Sequence, residues 1–196
     1  MTYIVTIAGS ASASAQSSAV IEASRRILRR NGLHSDAIVV RNLPSLDLLR
    51  TRPDRSVLEA AHCLIERAQG IVIATPIQEA IYAGLLRTFL DTLPYNALQD
   101  KTVLPITTGG SHTPSPDYAL RYALASLGAG HILRSLFLED AQIQFEHGGL
   151  VRLEEGAEVR LRDSLDALTR AVKPVSPTYI ESKDPGTVLR SSQRGN

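Results

Sequence analysis

An α/β fold with three layers, built on a doubly wound five-stranded parallel sheet, is what this sequence predicts. Three observations lead there. The strand candidates are short continuous apolar runs rich in β-branched residues, the mark of strands buried on both faces. Amphipathic helical stretches separate them one by one, so each strand returns parallel to the last through a right-handed crossover. The 196 residues carry a single cysteine, so the core must be held by apolar burial rather than by disulfides or a Cys-rich zinc site.

Tyr3-Ile4-Val5-Thr6-Ile7-Ala8 is the first strand, and Gly9 ends it. From Ser17 to about Arg30, Val20, Ile21, Ala23, Ile27 and Leu28 recur at helical spacing opposite Arg25, Arg26, Arg29 and Arg30, and Asn31-Gly32 stops the helix. Ala37–Val40 is the second strand, Arg55–Ala68 the second helix and Ile71–Ala74 the third strand. A loop opened by Thr75-Pro76 leads to a helix expected over Tyr82–Leu93, then to a fourth strand over Thr102–Ile106. Asp117–Leu127 is the fourth helix, His131–Phe137 the fifth strand, and Ala157–Val172 a charged final helix. From Pro174 the composition turns to Pro, Ser and Gly without a period, which divides the chain into one domain over residues 1–173 and an irregular tail over 174–196.

Composition narrows the function. A formal net charge of +1, from 21 basic and 20 acidic residues, gives no global attraction to nucleic acid or to an anionic membrane. No apolar run approaches the roughly 20 residues that cross a bilayer, and the amino terminus reads as a strand rather than a secretion signal, so a cytoplasmic protein is expected. Cys63 is expected to be a small buried thiol.

In a doubly wound sheet, ligands bind beyond the carboxyl ends of the strands where strand order reverses. Three loops there have unusual composition: Gly9–Ser18, Thr75–Ile81 and Thr107–Pro116. The first, GSASASAQSS, carries five hydroxyls and no acid, and with a helix start behind it forms an anion cradle suited to phosphate. It is neither a dinucleotide fingerprint nor a Walker loop. In the second, Pro76 delays the helix and leaves the backbone N–H groups of Ile77 and Gln78 to face a planar heteroaromatic ligand. In the third, Thr108 is followed by Gly109 and Gly110, which let backbone approach a ligand closely.

The runs ATPIQEAIYAGLLRTFLDTLP, ALQDKTVLPITTGG and DYALRYALASLGAGHILRSLFLEDAQI, with the opening AGS…QSS, resemble the NADPH-dependent FMN reductase family, in particular the reductase component of two-component alkanesulfonate monooxygenase systems. The resemblance spans about residues 3 to 145. It implies a flavodoxin-like fold, hydride transfer from NADPH to FMN, a homodimer or homotetramer, and a partner monooxygenase that receives reduced flavin. It also implies which residues bind flavin and nicotinamide. Ser10, Ser12, Ser17 and Ser18 take the FMN phosphate, with Gln16 beside them; Pro76, Ile77 and Gln78 form the second wall; Thr108, Gly109, Gly110, Ser111 and His112 form the third; Tyr118 stands at a subunit interface linked to flavin release. The family's chemistry needs no catalytic side chain, because the protein's work is to position two redox molecules. No metal site is expected, His147 being a single histidine beside acids.

The chain departs from its relatives at the ligand loops. Relatives carry arginine near Ser12 and at Gln16, and an aromatic at Gln78. A charge-assisted phosphate contact is worth about 1.5–3 kcal/mol, so two missing arginines weaken FMN binding unless another cation substitutes. Two alternatives therefore stand beside the reductase: a flavodoxin-like quinone or azo reductase with tightly bound FMN, and a non-catalytic member with a degenerate flavin site.

Overall fold

The computed structural model describes residues 2–12, 16–44, 48, 57–78, 81–111, 117–146 and 151–172. The tail from 174, loop residues 13–15, His112 and His147 therefore lie outside the described residues. Strand β1 spans Tyr3–Ala8, helix α1 Gln16–Arg30, β2 His34–Val39, α2 Val57–Arg67 and β3 Gly70–Gln78. A two-residue β4, Ile81–Tyr82, precedes α3 (Gly84–Leu90) and β5 (Thr102–Gly109). Helix α4 (Tyr118–Ser126), β6 (His131–Ile132), β7 (Leu136–Glu139), a hairpin of β8 (Ile143–Phe145) and β9 (Val151–Leu153), and α5 (Glu155–Ala171) complete the order.

The main sheet runs β2-β1-β3-β5, with β6 and β7 both parallel to β5 on its far side, so five parallel positions are filled. Side chains alternate across it. Ile4, Ala8, Val72, Ala74, Leu104 and Ile106 pack under α1 and α5 on one face. Val5, Ile7, Ile71, Ile73 and Val103 pack under α2, α3 and α4 on the other. The apolar runs of the sequence are thus buried on both faces. Tyr3 ties β1 to β2 by donating from Oη to Asp36 Oδ2 at 2.6 Å. Burial and the Asp36 carboxylate push that phenol up to about 12.

Several boundaries differ from expectation. The fifth strand is split, because the Arg121 guanidinium donates to the carbonyls of Leu133 (2.8 Å) and Ile132 (3.4 Å) where the edge would otherwise run straight on. Tyr82 belongs to β4 and not to a helix: Ile77 and Gln78 extend β3 and pair antiparallel with Tyr82 and Ile81. The backbone of Ile77 and Gln78 is therefore paired strand rather than an open loop edge. Pro76 is tolerated in β3 because it lies past Ala74, the last residue paired with β1. Cys63 is exposed, since α2 buries Leu58, Ala61 and Ile65 and turns position 63 outward.

At the amino end of β5, His62, Leu93, Asn96 and Lys101 line a cleft of about 330 Å³, remote from the three loops. His62 Nε2 lies 3.0 Å from Thr92 Oγ1, and burial holds the imidazole below its ordinary range against the opposing pull of Glu59. The unfolded chain therefore takes up this proton first as pH falls. The contribution of the neutral ring is complete above the unfolded pKa of about 6.5 and is lost as pH falls through the lower folded value. The thermal midpoint should drop on acidification from about pH 7.5, and His62→Asn should flatten that part of the profile. A parallel profile in the variant would remove His62 from the account.

Candidate functional site

The order β2-β1-β3 makes the switch point: the chain leaves β1 through α1 for β2, then crosses back over β1 to β3. Its carboxyl end is where the candidate residues gather. The Gly9 N–H donates to the Ala74 carbonyl at 2.8 Å, which holds the first loop against β3 as it leaves β1. Pro76 stands opposite Thr108, and Gly109 opposite Glu139, so the ends of β3, β5 and β7 follow in one row.

On the β1 side, Ser10 is nearly buried and its Oγ accepts from the Ser12 N–H at 3.1 Å, a local turn that shapes the loop. Gln16, Ser17 and Ser18 form the first turn of α1, which contains no acidic residue, so their N–H groups and the positive end of the helix dipole are presented without a competing charge. Ser17 is fully buried, and its Oγ has no hydrogen-bond partner among the described residues. Ser18 Oγ accepts from Arg41 Nη1 at 3.2 Å.

Arg41 lies outside the loop from which the sequence alone draws the phosphate ligands. It lies in a 3-10 turn, Val40–Asn42, directly after β2. The signal that could have found it is topological: β2 lies beside β1 in parallel register, with Ala8 opposite Val39, so a side chain two residues past β2 stands level with Ser10.

On the other walls, Ile77 and Thr108 are buried, with Pro76 partly covered. Thr75 Oγ1 donates to the Pro76 carbonyl and accepts from the Ala83 N–H, both at 3.3 Å, fixing the entry to α3. Gly109 is buried in the sheet; Gly110 and Ser111 are exposed beyond it, and Ser111 Oγ donates to Glu139 Oε2 at 3.1 Å. Asp117, the residue before α4, accepts a hydrogen bond from Ser135 and pairs with Arg121 at 3.7 Å. Tyr118 is 78% exposed and contributes nothing to the walls of the cradle within this chain.

Residues 2–142 match the family model described as NADPH-dependent FMN reductase. The chain belongs to this family. It is 37% identical over 187 residues to a protein of Pseudomonas putida named FMN reductase (NADPH), covering 92% of this chain and 95% of that one. Its structure is similar to that of an NADH:FMN oxidoreductase in its apo form, with a TM-score of 0.78, 33% identity and coverage of 90% and 92%. A Bacillus cereus flavodoxin, 13% identical with a TM-score of 0.60 over 88% of this chain, shares the fold. The family membership and the flavodoxin-like architecture agree with the sequence reading.

The residues present fit a flavin mononucleotide. A phosphate needs a cation and several donors; the turn after β2 offers Arg41, the loop after β1 the hydroxyl of Ser10, and the start of α1 the hydroxyls of Ser17 and Ser18 and the first-turn N–H groups. No group of three or more potential metal ligands occurs among the described residues, and no described helix is long and apolar enough to cross a membrane.

Proposed function

We propose that this protein catalyses the NAD(P)H-dependent reduction of FMN, and that reduced flavin leaves it for a partner monooxygenase. The observation that carries the reading is membership of the FMN reductase family together with a switch-point cradle of hydroxyls, helix amides and one guanidinium. Bound FMN supplies the hydride acceptor; every remaining task belongs to the chain. Ser10, Ser12, Gln16, Ser17 and Ser18 hold the phosphate end. The ends of β3 at Pro76 and Ile77 and of β5 at Thr108 and Gly109, with Gly110 and Ser111 beyond, would confine the ring system and leave room for the nicotinamide of NADPH; Gln78 and His112 are the sequence's further candidates there. Orientation of two bound reactants is the main source of rate, and a general acid or base is not required.

Few side chains here would grip the flavin strongly, and Gln78 offers no aromatic ring to stack on it. Weak retention suits a reductase that treats FMN as a substrate to be released. Tyr118 and Tyr122, 78% and 77% exposed and one helical turn apart on α4, form an apolar face suited to a second copy of the chain in a homodimer or homotetramer. A light-scattering mass of one subunit would exclude that assembly.

The test is direct. Purified protein mixed with FMN and NADPH should oxidise NADPH, followed at 340 nm, with saturation in FMN and parallel quenching of flavin fluorescence. Saturable oxidation is the expected result. Neither oxidation nor quenching would replace this reading with a non-catalytic family member, while flavin retained through purification would favour a quinone or azo reductase with tightly held FMN.

A further inference from the structure

We infer that Arg41, at the end of β2, is the phosphate-binding cation of this flavin site and sets a preference for FMN over flavin lacking a phosphate. The inference rests on the phosphate cradle proposed above and assigns to it a residue from a different strand. Four observations converge on it. The loop over residues 9–18 contains no basic residue, so a phosphate bound there has no charge partner from its own segment. The Arg41 guanidinium reaches across to that segment, donating from Nη1 to Ser18 Oγ at 3.2 Å in the first turn of α1. The parallel pairing of β1 and β2, with Ala8 opposite Val39, fixes this approach, since the turn that carries Arg41 begins one residue after the last pair. Among the described residues Arg41 has no carboxylate partner, so its charge is held beside the cradle by a neutral hydroxyl alone.

A guanidinium has five donors in a rigid fork, and one bond to a serine leaves others for a phosphate oxygen. The nearby Ser17 Oγ is a buried hydroxyl without a partner in the same turn. Both groups are set at the positive end of a 15-residue helix, where a dianion gains from the dipole as well. The arrangement thus supplies, from β2, the positive charge that the loop's own sequence lacks.

The experiment compares FMN with riboflavin, which differs only in lacking the phosphate, as substrates for NADPH oxidation by the full chain. Wild type should prefer FMN, by the ratio of kcat/KM. In Arg41→Gln that preference should fall about 10- to 100-fold, the loss expected for one charge-assisted contact. Arg41→Lys should keep part of it, and Gln16→Arg placed in the Arg41→Gln protein should return it by supplying a cation from the loop itself. A wild type that does not distinguish the two flavins would remove the phosphate cradle, and this assignment with it. A wild-type preference that survives in Arg41→Gln would leave the cradle standing and overturn the role of Arg41. Equal loss toward both flavins in Arg41→Gln, with Gln16→Arg unable to restore FMN, would make Arg41 a structural brace and overturn the proposal in the same way.

Discussion

Replacing Phe89 with alanine should cost about 3–5 kcal/mol of folding stability, the range for removing a fully buried aromatic side chain. Phe89 has no exposed surface and packs with Leu86, Leu90, Leu93, Leu98 and Val103 on the α2-α3-α4 side of the sheet. Its ring centroid also lies 6.4 Å from that of His62. Helix α3 has only seven residues and no side-chain N-cap, so it has little stability of its own and is held by the side chains it buries. Loss of Phe89 loosens the helix that follows β4, the strand paired with the end of β3. Urea denaturation should show the lower midpoint, and FMN affinity should fall with it at temperatures where the variant is still folded. Phe89→Leu, which leaves most of the volume filled, should lose well under half as much. An alanine variant within about 1 kcal/mol of wild type would mean that the site collapses around the gap and that α3 is not held by this residue.

The scaffold was legible because its physics is local and periodic. Burial on both faces of a parallel strand produces runs such as Ile71-Val72-Ile73-Ala74, and burial on one stripe of a helix produces the spacing of Val20, Ile27 and Leu28. Those two patterns, read in alternation, place the switch point and hence the three loops. What stayed hidden depends on pairing between distant segments. Tyr82, Leu85, Leu86 and Phe89 have helical spacing, yet Tyr82 is captured by β3 through Ile77. The break in the fifth strand follows from an arginine on α4 taking edge carbonyls, and nothing in the strand's own residues announces it. The β8-β9 hairpin packs Ile143 and Leu153 against the core from strands too short for an alternating pattern to stand out. Arg41 is the same kind of case at the site. Its neighbour Ser18 is 23 residues away in sequence, and only the parallel register of β1 and β2 brings the two together.

Gly9→Ala should destabilise the protein by roughly 2–3 kcal/mol, a cost typical of overpacking a closed interior. A Cβ on Gly9 would lie 2.9 Å from both Cβ and Cδ2 of Leu86. Leu86 has no exposed surface, and its Cβ cannot swing aside as the end of a flexible chain could, so α3 itself must shift. Gly9 also begins the loop proposed to hold the phosphate and is tied to Ala74 by its N–H, so the strain falls between β1 and β3 at that loop. The variant should therefore weaken FMN binding as well as stability. Leu86→Gly tests the contact directly, because it removes Cβ, Cγ and Cδ2, the atoms that a methyl at position 9 would meet. Alone it should cost about 3–6 kcal/mol, through the cavity it leaves and the glycine it puts into α3. Combined with Gly9→Ala it should cost less than the two singles added together, by about 1–3 kcal/mol, since the new methyl then enters space that has been vacated. Strict additivity in denaturant midpoints would show that the glycine is required by the loop's own backbone, and would separate the shape of the phosphate loop from the packing of α3 beneath it.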